Sequence, residues 1–349
     1  MQKMWALMVY LSDNQWVPVR EQLEFDDGFW EYILERSVQT GINTILLEVG
    51  DGVQYRSHPE ISLENAWSPE RVSREVRLCR GMGIELIPKL NFSTAHNYWM
   101  KEYRRMTSSK PYYDFCRDII REICELFEQP NYIHIGYDEE VPLVADRSDF
   151  VVYRKGELLM HDFQFLVDTV KETGATPWEW HDPLWEHTED YLKYMDPKEN
   201  VILSPWFYLG LTKEHYTPIE QYDPDGSENQ WYKEGYRFLE EHPMFSNATE
   251  YFYGGKVLEL MKKGFRYIPT PSVYSNDYNT DDMVSFFKKG APDDQIVGYL
   301  TAPWVPTVWE SKEKIDKSLA LLAAARDKYY KNESDTVRGG HHCLSPLPR

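Results

Sequence analysis

The sequence predicts a single-domain (β/α)8 barrel, the TIM-barrel class. Three observations predict it: short apolar runs alternate with longer amphipathic ones along 349 residues, the short runs number eight, and no glycine-rich phosphate loop follows the first. An open doubly wound sheet shares the alternation. It normally places such a loop after its first strand, and YLSDNQW (10–16) offers none. The length exceeds the about 250 residues of a typical α/β barrel, which leaves room for long loops.

In chain order the predicted strands are WALMVYLS (5–12), TILLEVG (44–50), ELIPKLNF (85–92) and YIHIGYD (132–138). TPWEWHD (176–182), VILSPWFY (201–208), RYIPTPSVY (266–274) and IVGYLTAPW (296–304) complete the set. Helical spacing of apolar residues places helices near 25–40, 69–82, 111–128, 161–173, 231–263, 281–289 and 311–330. Gly41, Gly83, Gly174 and Gly264 each fall just past a helix, where a C-terminal cap belongs. The polar, aromatic segments 51–67 and 209–230 follow strands and are expected to build the rim of the site. Residues 1–330 form the expected barrel, and 331–349, rich in Gly, Pro and charge, a loose tail.

Composition narrows the partners. Asp and Glu outnumber Lys and Arg 57 to 38, for a net charge of -19. That field repels phosphate backbones and anionic lipid, so neither nucleic acid nor membrane is an expected partner. Twelve Trp and 25 Tyr exceed what a core needs. Flat rings with one polar handle suit wet, ring-shaped ligands, although some must fill the barrel, and a dimer interface is another use for the surplus. Cys79, Cys116, Cys124 and Cys343 lack metal-ligand spacing and read as reduced thiols. His341-His342-Cys343 stands in the tail without further ligands, so no metal or cofactor is expected. The N-terminus reads as a strand rather than a signal sequence, and no run reaches membrane-spanning length; a soluble, cytoplasmic chain is the expectation.

In a barrel, residues at the C-terminal ends of the strands face the reaction centre. Here those positions carry Asp51, His96, Asp138, Glu139, Trp180, Asp182, Trp206, Tyr274 and Trp304. Side chains alternate along a strand, so if His134 and Gly136 point inward, Asp138 does too, and Glu139 belongs to the turn that follows. Glycosidic cleavage needs an acid for the leaving oxygen and a group that stabilises an oxocarbenium-like centre. Two carboxylates in one small aromatic pocket repel, which favours one of them keeping its proton. The pattern alone also admits a solvated acidic loop at Asp138-Glu139-Glu140.

YIHIGYDEE (132–140) resembles the His-x-Gly-x-Asp-Glu signature of glycoside hydrolase family 20, the β-N-acetylhexosaminidases. GIELIPKLNFSTAH (83–96), INTILLEVGDGVQYRSHPEIS (42–62), PWEWHDPL (177–184) and VGYLTAPW (297–304) are similar to further segments of that family, in family order. The resemblance implies substrate-assisted catalysis, in which the 2-acetamido oxygen of a terminal β-linked GlcNAc or GalNAc attacks C1. It implies Glu139 as general acid/base and Asp138 as the group that orients the acetamido and stabilises the oxazolinium intermediate. His96 and Asp51 would form a hydrogen-bonded chain behind Glu139. Trp180, Trp206 and Trp304 would wall the pocket, and Tyr274, or Tyr278 in its place, would bond the acetamido oxygen. Asp182, Asp277 and Glu310 complete the substrate-binding candidates.

Three departures bear on the sugar. The first strand ends without the family's usual Arg, and Arg20 lies too far into the loop to replace it. Trp304-Val305-Pro306 lacks the acid of the usual Trp-x-Glu, for which Glu310 is the substitute at hand, and Tyr137 replaces a small residue within the signature. A related exo-glycosidase of altered specificity and a non-catalytic carbohydrate-binding barrel are therefore the competing readings.

Overall fold

In this computed structural model the structure describes residues 3–140, 148–196, 201–208 and 256–338. Eight parallel strands form one sheet in the order β7-β6-β5-β4-β3-β2-β1-β8: β1 Met4–Tyr10, β2 Thr44–Glu48, β3 Glu85–Lys89, β4 Tyr132–His134, β5 Thr176–Trp180, β6 Ile202–Ser204, β7 Arg266–Tyr267 and β8 Gly298–Thr301. The sheet closes between β7 and β8 through the Tyr267–Ile296 bridge. β7 is shorter than the sequence predicts because Pro269 and Pro271 have no N–H to give a ladder. Their carbonyls still accept, from Leu300 N and Ala302 N at 3.1 Å each, and the barrel stays shut.

Helices cover the outside: α1 Asp27–Thr40, α2 Pro69–Gly81, α3 Lys110–Leu126, α4 Gly156–Glu172, α5 Asp182–Glu186, α6 Thr188–Tyr194, α7 Lys256–Met261, α8 Asn279–Gly290 and α9 Lys312–Arg338. Their starts are written in the sequence. Asp26 caps α1 by accepting from Phe29 N at 2.8 Å, and Ser68 caps α2 by accepting from Arg71 N at 3.2 Å, ahead of Pro69. Gly41, Gly83, Gly174 and Gly264 all take the left-handed conformation that ends a helix.

Period-2 alternation splits each strand between two apolar layers. Met4, Ala6, Met8, Leu46, Ile87, Trp178, Ile202 and Leu300 fill the barrel. Trp5, Leu7, Val9, Ile45, Leu47, Ile133 and Leu203 face the helices. The register brings Tyr10, Glu48, Lys89, His134 and Trp178 into one row, each the partner of the next.

In the segment expected at 51–67, Val53 is bridged to Trp67 and a 3-10 turn stands at Pro59–Ile61. Val53, Tyr55, Ile61 and Trp67 join the layer that faces the helices, and Glu122 of α3 accepts from Arg56 N and Ser57 N. Segment 209–230, most of the helix expected at 231–263, and His341, His342 and Cys343 lie outside the described residues. Helix α9 runs through Arg338, past the boundary expected at 330. Cys79, Cys116 and Cys124 are buried free thiols. No helix among the described residues is long and apolar enough to cross a membrane.

Candidate active site

The loop after β4 turns sharply. Gly136, Tyr137 and Glu139 all have positive φ (73°, 76° and 55°), which costs a non-glycine residue about 1–2 kcal/mol. Neighbouring loops hold the turn in place. Asn91 Nδ2 donates to Asp138 Oδ1 at 2.8 Å, and Ser93 Oγ donates to the Asp138 carbonyl at 2.5 Å. Asp138 is thereby buried, whereas the Glu139 side chain keeps 29% of its surface open to the mouth.

His96 sits between the two acids. Its Nδ1 lies 3.5 Å from Asp138 Oδ1 and its Nε2 lies 3.3 Å from Glu139 Oε2. Burial alone would lower the imidazole pKa, but Asp138 and Glu139 outweigh it and the net shift is upward. The ring edge of Trp16 packs on the imidazole at 5.2 Å.

The expected chain through Asp51 takes another form. Asp51 is fully buried, but its oxygens accept from Ser12 Oγ at 2.5 Å and Asn14 Nδ2 at 2.8 Å, both on the loop after β1. Those two donors hold the carboxylate on the β1 side while His96 turns to the acid pair. Burial, only partly offset by these bonds, pushes the Asp51 carboxyl up to about 6.

Asp182 opens α5 at the end of β5. One oxygen accepts from the Glu139 backbone N–H at 3.2 Å and the other from Trp206 Nε1 at 2.8 Å. Trp180 lies 5.7 Å from Trp304, and Trp304 Nε1 donates to Tyr208 Oη at 2.8 Å. Tyr208 packs on Trp206 at 5.3 Å and on Tyr274 at 6.2 Å. Trp180, Trp206 and Trp304 therefore share one aromatic wall with Tyr208, and Tyr274, 64% exposed, stands at its rim. Glu186, at the other end of α5, is pushed well up by burial and by the nearby acids Asp182, Glu140, Glu139 and Asp138.

Under this layer lies a buried ion pair, Glu48 with Lys89. Burial pushes the Glu48 carboxyl up to about 7, with the Lys89 charge opposing it. His134 is clasped between Trp178 and Trp180 at 5.0 and 4.7 Å. Its Nδ1 accepts from Gly136 N at 3.0 Å, and burial holds its pKa well below the usual range.

Asp138, Glu139, His96, Asp182, Trp180, Trp206 and Trp304 are thus brought together, with Tyr274 beside them. Three candidates are not, the first being Asp51, held on the β1 side by Ser12 and Asn14. Asp277 is ion-paired with Lys317 of α9 at 2.7 Å. Glu310 is exposed in the turn whose Trp309 packs on Phe29 and Tyr32 of α1. Sequence reasoning missed Asn91, Ser93, Tyr208 and the Glu48–Lys89 pair. For Lys89 a signal was available: a lysine two residues after Ile87 faces the barrel interior and requires a buried partner.

Solved structures settle the architecture. A β-N-acetylhexosaminidase from Bacteroides fragilis aligns with 98% of this chain and 72% of its own, at a TM-score of 0.61 and 11% identity. The fold is that of the family 20 β-N-acetylhexosaminidases. A mutant Streptomyces plicatus β-hexosaminidase in complex with the product GlcNAc covers 99% of this chain and 70% of its own, with a TM-score of 0.59 and 14% identity. A family 20 exo-β-N-acetylglucosaminidase from Vibrio harveyi, in complex with N-acetylglucosamine, covers 98% and 59%, with a TM-score of 0.56 and 12% identity. No family model matches the sequence, and neither does any curated protein.

Proposed function

We propose that this chain is an exo-acting, retaining β-N-acetylhexosaminidase that uses the substrate's own 2-acetamido group as nucleophile. The observation that carries the reading is the pairing of Asp138 and Glu139 across His96, under a wall of Trp180, Trp206 and Trp304. The neighbours that hold GlcNAc share the barrel and so support the same sugar class.

The chemistry divides between the acids by their access. Glu139, open to the mouth, protonates the glycosidic oxygen as its bond to C1 breaks, while the acetamido oxygen bonds C1 from the other face. Asp138, buried and pinned by Asn91, accepts the acetamido N–H and faces the positive charge of the oxazolinium ring. Glu139 then takes a proton from water as that water opens the ring, so the configuration at C1 is retained. Confinement by the tryptophans holds the internal nucleophile near C1 at high effective concentration. The test is release of aglycone from aryl β-N-acetylglucosaminide and β-N-acetylgalactosaminide. Glu139→Gln and Asp138→Asn should each lower kcat by about 10²–10⁴. A folded wild-type protein inert towards both substrates overturns the reading.

One observation favours the second reading, a related exo-glycosidase with altered sugar specificity. Asp277 is occupied by Lys317, Glu310 is on the α1 side, and Arg20 is occupied by Asp13 and Glu24, so none of these supplies the missing hydroxyl contacts. A thiazoline mimic of the oxazolinium separates the two. Tight inhibition requires an acetamido pocket, and indifference to the mimic selects the altered enzyme.

A further inference from the structure

Glu140, the third acid of the run, does not share the cup with its neighbours. Its side chain is 4% exposed and forms a two-pronged ion pair with Arg154, which is 0% exposed. Arg154 Nε donates to Glu140 Oε2 at 3.1 Å and Nη2 donates to Oε1. The same Oε1 accepts from Thr94 N at 2.8 Å, in the loop after β3. Arg154 also donates through Nη2 to the Phe92 carbonyl at 3.4 Å and through Nη1 to Asp162 Oδ2 of α4 at 3.1 Å. Its guanidinium lies 4.8 Å from the ring centre of Tyr137.

We propose that Glu140 and Arg154 are positioning residues, a buried clamp that locks the His96 loop to the loop carrying Asp138 and Glu139. The contacts of the clamp fall on both loops: Phe92 and Thr94 on one, Tyr137 and Glu140 on the other. His96 follows Thr94 by two residues, and Glu139 precedes Glu140 by one. Holding Thr94 N on Glu140 therefore fixes how far His96 stands from both acids. A buried ion pair is a poor source of net stability, since apolar side chains of similar size often do as well. Its placement across these two loops is what a positioning role requires. The geometry stands by itself; only its meaning for turnover rests on the proposed hexosaminidase activity.

The test reads His96 directly, by NMR titration of the histidine-labelled full chain, with the resonance assigned through His96→Gln. The groups that face His96 are Asp138, Glu139 and Lys89, with Glu48 behind Lys89 and the uncharged ring of Trp16 beside it. Glu140→Gln should lower the His96 midpoint by about half a pH unit or more, because the acids that raise it are no longer held close. Glu140→Gln with Arg154→Met, which removes one charge of each sign, should lower it as well. Asp162→Asn, which cuts the clamp only from α4, should leave it in place. If the double variant does not fold, Glu140→Asp keeps the charge, shortens the reach and carries the same expectation.

An unmoved midpoint in Glu140→Gln, a return to the wild-type value in the double variant, or an equal shift in Asp162→Asn would each overturn the clamp. None of these readings needs turnover, so failure of the proposed activity is seen separately, as absence of aglycone release by the wild type. Where release is measured, Glu140→Gln should lower kcat about tenfold with KM little changed.

Discussion

The carboxylate of Asp182 accepts from the backbone N–H of Glu139 at 3.2 Å, so a residue on β5's end supports the left-handed turn at β4's end. The second oxygen of Asp182 takes Trp206 Nε1, joining the acid pair to the aromatic wall in a single side chain. Asp182→Ala leaves two donors without an acceptor, at a cost of about 1–3 kcal/mol for each one that stays buried. Trp206→Phe should cost less in that background than in the wild type. Urea unfolding of the four proteins in the cycle should give a coupling of about 1 kcal/mol.

His96 predicts a pH dependence. Its pKa in the fold is raised above the ordinary 6.5, so the protonated ring is favoured by folding. That stabilisation is complete below pH 6.5 and disappears as pH rises through the raised value. His96→Gln should therefore be most destabilising at acid pH and least above the raised value. Denaturant melts of both proteins across pH 5 to 9 check the sign.

Asp51 predicts the opposite comparison. Its carboxyl is raised from 3.8 to about 6, so ionisation is disfavoured in the fold, and the cost grows as pH rises from 3.8 to 6. Asp51→Asn keeps an acceptor for Asn14 Nδ2, turns its N–H to Ser12 Oγ, whose hydroxyl rotates to accept, and carries no charge. Relative to the wild type it should gain up to about 3 kcal/mol at pH 7 and nothing at pH 3.5. Thermal melts at the two pH values are the measurement.

Lys89→Met strands Glu48 inside the barrel. The variant should lose about 3–5 kcal/mol, and Glu48→Gln added to it should recover much of that loss. An equal loss in single and double variants would show that Lys89 acts by packing rather than by charge.

The barrel was legible because it depends on local pattern. Apolar alternation marks where each strand starts, and Asp26, Ser68 and the four capping glycines mark helix ends. Strand ends were less legible: β7 was expected through 274 and stops at Tyr267, since the prolines beyond it can only accept. The mouth residues of β4, β5, β6 and β8 were readable from the rule that strand ends face the centre. Loop residues were not. Asp277 and Asp51 are placed by partners elsewhere in the chain, Lys317 for one, Ser12 and Asn14 for the other, and spacing along a loop carries no direction. Glu140 is fixed by Arg154, fourteen positions later, through a contact that no periodicity encodes.

Asn91 touches both the turn and the acid it holds. A methyl group added at Gly136 would stand 2.2 Å from Asn91 Oδ1, at a φ of +73° that side chains seldom adopt. The amide that orients Asp138 and the backbone that carries it thus fill the space any side chain at 136 would need. The Asn91 Cα stands 2.7 Å from the same point, so a shorter residue at 91 does not make room, and a saturation library should return glycine alone at 136. Position 136 is closed to variation whatever stands at 91, and new specificity must come from elsewhere around the mouth.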